Sequence, residues 1–101
     1  MAARKYAPPR TWVAEGGEWP AGPFTVDAPP YALVTAAIVE RYRAAVGRQS
    51  LRAVARAAGI DPTSLGRTLA GETVPDVHTL AVLESALDTE LWPRWPDRSA
   101  R

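Results

Sequence analysis

The chain contains no cysteine, which excludes disulfides, thiolate metal sites and a cysteine nucleophile together. It contains one histidine, His78. With no second histidine and no thiol, a zinc site has no ligand set. His78 also lacks catalytic partners at a convincing spacing, and an exposed helical position is the expected reading. No run approaches the roughly 20 apolar residues that cross a bilayer, and the N-terminus lacks the apolar core of a secretory signal. These absences predict a cytoplasmic protein with no membrane association. Gly16-Gly17 lacks the Lys-Ser/Thr context of a phosphate-binding loop. Glu84 and Asp88 sit four apart, where like charges mildly destabilise a helix, and read as a solvated face rather than a catalytic pair. Nothing here supports an enzyme, and no cofactor is implied.

What is present fits one compact domain. The chain has 101 residues, 47% of them hydrophobic and 23% charged, enough apolar material for a core with an ordinary soluble surface. The net charge is only +1, so overall charge does not announce a nucleic-acid partner. Its distribution says more. Arg41, Arg43, Arg48, Arg52, Arg56 and Arg67 crowd the middle of the chain, opposed there only by Glu40 and Asp61. The following stretch carries Glu72, Asp76, Glu84, Asp88 and Glu90 with no Lys or Arg between them. Arg4, Lys5 and Arg10 form a second basic cluster. A chain polarised in this way can turn a positive face to phosphates while staying nearly neutral.

The composition divides the chain into an N-terminal arm (1–29), a helical domain (30–92) and a short tail (93–101). In the arm, Pro8, Pro9, Pro20, Pro23, Pro29 and Pro30 break regular helix. Gly16-Gly17, between short β-compatible segments, signals a short hairpin. Pro20 limits its second strand, and 24–26 reads as a further extended piece. Helical periodicity starts after Asp27. Tyr31, Val34, Ile38, Tyr42 and Ala45 form one apolar face, and Gly47 ends that helix. Ser50 reads as the N-cap of a second helix that stops at Gly59. Asp61 caps a third, opened by Pro62 and closed by Gly71. Pro75 and Asp76 open a fourth, striped by Val77, Leu80, Leu83, Leu87 and Leu91. The expected fold is therefore all-α: a four- to five-helix, repressor-like bundle behind a Pro/Gly-rich arm.

Residues 51–71 carry the functional signal. Two short helices meet through a tight turn; Gly59 supplies the positive φ that the turn needs, and Ala55 is small where the helices cross. Val54, Ile60 and Leu65 are spaced to point into a shared core. Such a pair meets at roughly 90–120° and leaves its second helix projecting outward. Pro62, Thr63 and Ser64 would then face the major groove, with Arg67 one turn later on the same side. The pattern Val54-Ala55, Gly59-Ile60, Leu65, Arg67 and Gly71, followed by Pro75 and Thr79-Leu80, resembles the Cro and lambda-repressor-like (XRE) helix-turn-helix family across roughly residues 34–92. Residues 51–69 also resemble the lac-repressor headpiece. The sequence departs from the family pattern at Leu51, Thr68 and Glu72, where relatives often carry Gln, Ile or Val, and Lys; Gly66 sits inside the recognition helix, where glycine costs about 1 kcal/mol relative to alanine.

The resemblance implies sequence-specific binding of double-stranded DNA by a small transcriptional regulator, usually as a homodimer on paired half-sites. Pro62, Thr63, Ser64 and Arg67 are the expected base contacts. Arg43, Arg48, Ser50, Arg52 and Arg56 are the expected phosphate contacts. Two other classes remain open. One is a protein-binding module, such as a DNA-binding antitoxin, meeting its partner through Trp12, Trp19, Trp92 and Trp95. The other is an architectural accessory factor for recombination or replication. The tryptophans have a plainer reading as well: the arm folds back over the bundle and enlarges a small core.

Overall fold

The computed structural model describes residues 6–94. Arg4, Lys5 and Trp95 lie outside the described residues. A 3₁₀ turn, Pro9–Trp12, leads into strand β1 (Val13–Glu18), which pairs antiparallel with β2 (Gly22–Phe24). Helices α1 (Pro30–Val46), α2 (Leu51–Ala58), α3 (Pro62–Leu69) and α4 (Val77–Leu87) follow.

The two-stranded sheet overturns the all-α expectation: the chain is mixed α and β. The prolines that break regular helix there do not interrupt β pairing, because Pro20 stands in the turn and Pro23 in a short edge strand, where a missing N–H costs little. The hairpin also reverses at a different place from the one the sequence suggests. Gly16 and Gly17 lie inside β1, and the chain turns at residues 19–21. Val13 pairs with Phe24 and Glu18 with Gly22, so β1 carries surplus residues between the two pairings. The positive φ of Gly16 (82°) is what a bulge of this kind asks of the backbone. β2 ends at Phe24, so 24–26 is not a separate strand.

Proline turns open α1; Pro29 stands at its N-cap with no side-chain cap. The helix is buried on more than one side. Ile38 and Tyr42 enter the main core with Val54, Leu65, Leu80 and Leu83, as their spacing predicts. Ala32, Ala36 and Val39 form another buried stripe outside that cluster, and the 3₁₀ turn of the arm packs on α1. Thr35 can be buried here because its hydroxyl donates to the Tyr31 carbonyl one turn back, at 2.7 Å.

The shorter helices begin where the sequence places their caps, and α2 also stops where it places one. Ser50 Oγ accepts from the Ala53 N–H at 3.1 Å, and Gly59 closes α2 in the left-handed region. Asp76 accepts from the Thr79 N–H at 2.7 Å and opens α4. The apolar stripe of α4 is shorter than expected. Leu80 and Leu83 are buried, but Val77 is 81% exposed. Leu91 is fully buried, yet it lies beyond the helix. Glu84 holds it there: its carboxylate accepts from the N–H groups of Leu91 (2.7 Å) and Trp92 (3.1 Å). Glu84 thus ties the C-terminal segment to α4 and is not simply a solvated charge.

Candidate nucleic-acid interface

Helix α3 is held by its inner side and offers its outer side. Leu65 and Thr68 are buried, and the Thr68 hydroxyl shares a hydrogen bond of 2.9 Å with that of Thr73, so a polar residue is accommodated on the inner face. Thr63 and Arg67, one turn apart, are both exposed. The Asp61 carboxylate caps the helix, accepting from the Ser64 N–H at 2.9 Å and from the Ser64 hydroxyl at 3.1 Å. Ser64 therefore keeps only acceptor capacity for an outside group. Pro62 is half-buried. Of the four expected base-contact residues, Thr63 and Arg67 are the most available.

Beside α3 lies a cleft of about 210 Å³ that Ser64, Arg67, Thr68, Thr73, Asp76 and Thr79 help to line. The cap of α4 thus shares this cleft with Ser64 and Arg67 of α3. The Asp76 carboxyl is held below its ordinary range, chiefly by the Thr79 backbone N–H and then by the Thr79 side chain, with His78 adding a smaller effect. The cleft thus sets a donor-only guanidinium among hydroxyls and an acceptor-only carboxylate. In sequence Asp76 announces only a helix start; its place in the same cleft as Arg67 depends on how the chain turns after Gly71.

The expected phosphate contacts sit on separate exposed surfaces. Arg52 and Arg56 lie one turn apart on the exposed side of α2, Arg48 in the loop before it, and Arg43 near the end of α1. Among the described residues, none of Arg43, Arg48, Arg52, Arg56 and Arg67 forms an ion pair or side-chain hydrogen bond. Other arginines are engaged: Arg41 donates to the Glu90 carbonyl at 3.4 Å, Arg10 pairs with Glu72 at 3.9 Å, and Arg94 with Glu90 at 3.9 Å. Ser50 is exposed, but its oxygen already serves the α2 cap.

The arm reaches the far end of α3. The Trp19 indole N–H donates to the Leu69 carbonyl at 2.9 Å, and the Arg10 backbone N–H donates to the Gly71 carbonyl at 3.0 Å. Phe24 meets the Trp19 ring edge-on, with centroids 6.2 Å apart. Elsewhere in the arm, the Trp12 indole N–H donates to the Tyr31 hydroxyl at 3.1 Å, and that hydroxyl donates to the Ala7 carbonyl at 2.9 Å. Trp12 and Trp19 are both half-buried, whereas Trp92 is 48% exposed.

Among the described residues, no helix is long and apolar enough to cross a membrane. No protein-family model, curated protein or solved structure matches the chain.

Proposed function

We propose that this chain is a small sequence-specific DNA-binding protein, a transcriptional regulator that reads the major groove with α3. The observation that carries the reading is the set of five arginines, Arg43, Arg48, Arg52, Arg56 and Arg67, exposed and unengaged among the described residues. A guanidinium left without an internal partner is suited to a phosphate or to guanine O6/N7. Thr63 and Arg67 give α3 a polar outer face of the kind a recognition helix presents to the groove. In this reading Arg67 and Thr63 meet base edges, and Arg43, Arg48, Arg52 and Arg56 meet phosphates.

Selection of bound duplexes from a random DNA pool, followed by binding isotherms, tests the reading. Arg67→Ala should weaken the selected duplex by about 1–3 kcal/mol and relax preference at one base pair. An equal loss on random duplexes would make Arg67 a phosphate contact. A pool that yields no preferred sequence would overturn the reading.

One observation favours a second reading, a protein-binding module such as a DNA-binding antitoxin. A largely apolar groove of about 510 Å³ is lined in part by Tyr31, Val34, Ile38, Val77 and Trp92. Val77 and Trp92 are exposed at this groove, and exposed aliphatic and aromatic side chains around a concavity are features of protein interfaces. A partner that co-purifies with the wild type and is lost from Trp92→Ala would favour this reading.

A further inference from the structure

We propose that Trp19, carried on the N-terminal hairpin, is a positioning residue for α3: it clamps the end of that helix and so sets the angle at which Thr63 and Arg67 meet DNA. The proposal rests on the DNA-binding reading above.

Helix α3 has eight residues, too few for much rigidity of its own. Its N-terminal end is held by the Asp61 cap. At its C-terminal end the Gly66, Arg67 and Thr68 carbonyls accept from the N–H groups of Ala70, Glu72 and Gly71 in turn, which leaves the Leu69 carbonyl open; the arm supplies its donor, and a second one to Gly71 just beyond the helix. The Trp19 indole N–H takes the Leu69 carbonyl, and the Arg10 backbone N–H takes the Gly71 carbonyl. The two donors come from separate points of the arm, one before β1 and one in the hairpin turn. Two attachments restrain rotation of the helix end as well as its position, which a single contact does not.

Packing closes the same junction. A Cβ built on Gly71 would lie 2.7 Å from the Trp19 ring and 2.9 Å from the Arg10 Cβ. Only a glycine lets the arm come so close, and Gly71 also has a φ of +77°. The Arg10–Glu72 pair spans the junction too, but exposed pairs of this kind contribute little. Arg67 is two residues before Leu69, about 3 Å along the helix axis. A change at the clamp is therefore felt at the reading face, where tolerances are on the order of 0.5 Å. The strands themselves carry Glu15 and Glu18, both exposed, and no Lys or Arg. Charge of that sign repels phosphate, so the hairpin suits holding the helix better than gripping the DNA backbone.

The test compares the full chain with Trp19→Phe, which removes the N–H donor and keeps an aromatic ring, and with Trp19→Ala. Each is measured well below its own melting midpoint, on a duplex selected from a random pool by the wild type and on a scrambled duplex of equal length. If Trp19→Ala does not fold, Trp19→Phe decides. The expected result is that affinity for the selected duplex falls about tenfold, as for loss of a well-placed base contact. Affinity for the scrambled duplex should stay within about twofold, with an unchanged salt slope, because the phosphate-binding charge is intact. A lowered melting midpoint with an unchanged ratio between the duplexes would overturn the positioning role and leave Trp19 a packing residue. If the wild type itself prefers no sequence, the DNA-binding reading fails and takes this role with it.

Discussion

Gly66 and Gly71 show how far the meaning of one residue type depends on its surroundings. Gly66 lies inside α3, where glycine is about 1 kcal/mol less favourable than alanine. A Cβ there would meet only Leu51 Cδ1, at an ordinary 3.7 Å. Gly66→Ala should therefore stabilise the fold by about 0.5–1 kcal/mol, which for a domain of this size raises the melting midpoint by roughly 2–8 °C. Calorimetry checks this, and a lowered midpoint would refute the open space read beside Leu51. Tyr42 offers a second residue-scale test. Its ring belongs to the core, but its hydroxyl is buried with no hydrogen-bond partner among the described residues, and burial pushes its pKa up. Removing an orphaned polar group from a core relieves its desolvation cost. Tyr42→Phe should leave denaturant stability unchanged or raise it by up to about 1 kcal/mol. A clear loss would mean that the hydroxyl has a partner after all.

Helix ends were the most legible feature of the sequence. Ser50, Asp61 and Asp76 each accept from the backbone N–H three residues on, and Gly59 terminates α2 in the left-handed region. These are local events decided by two or three neighbouring residues. Asp76 makes its cap testable through pH. Its folded pKa is depressed, chiefly by the Thr79 backbone N–H. The ionised cap therefore adds stability above the unfolded pKa of about 3.9, and that contribution is lost as pH falls through the lower folded value. Asparagine can cap but does not titrate. Melting curves between about pH 6 and pH 2 should show the wild type losing more stability than Asp76→Asn. Parallel curves would rule out this contribution. The α4 stripe was less legible, because Leu91 keeps the apolar spacing but not the helix. Glu84 draws its backbone inward instead, and such a contact across seven residues leaves no periodic signal.

At the scale of the whole molecule, the arm is part of the folded body. Pro9 is fully buried, Trp12 and Trp19 are half-buried, and their indole N–H groups bond to Tyr31 and to Leu69. Burying one large apolar side chain contributes roughly 1.5–3 kcal/mol. Deleting residues 1–29 should thus cost about 2 kcal/mol or more and lower the melting midpoint by roughly 8–16 °C. A truncated chain that melts like the full one would remove the arm from the core. Arg10 belongs to this body as well, its backbone N–H bonded to the Gly71 carbonyl.

The sequence by itself determined where four helices start, the side-chain caps of Ser50, Asp61 and Asp76, the turn between α2 and α3, and the side chains that α3 can offer. All of these follow from contacts within a few residues or from 3.6-residue periodicity, and both are written in the order of the chain. Only the tertiary structure decided that Gly16-Gly17 lies within β1 and not at the turn, that α1 is buried along a second stripe, that Asp76 and Arg67 line one cleft, and that Trp19 meets the end of α3. The Trp19–Leu69 bond joins residues fifty positions apart. Which donor reaches an orphaned carbonyl at that separation depends on how the arm packs against the assembled helices, and side-chain packing of that kind has no period for a sequence to display.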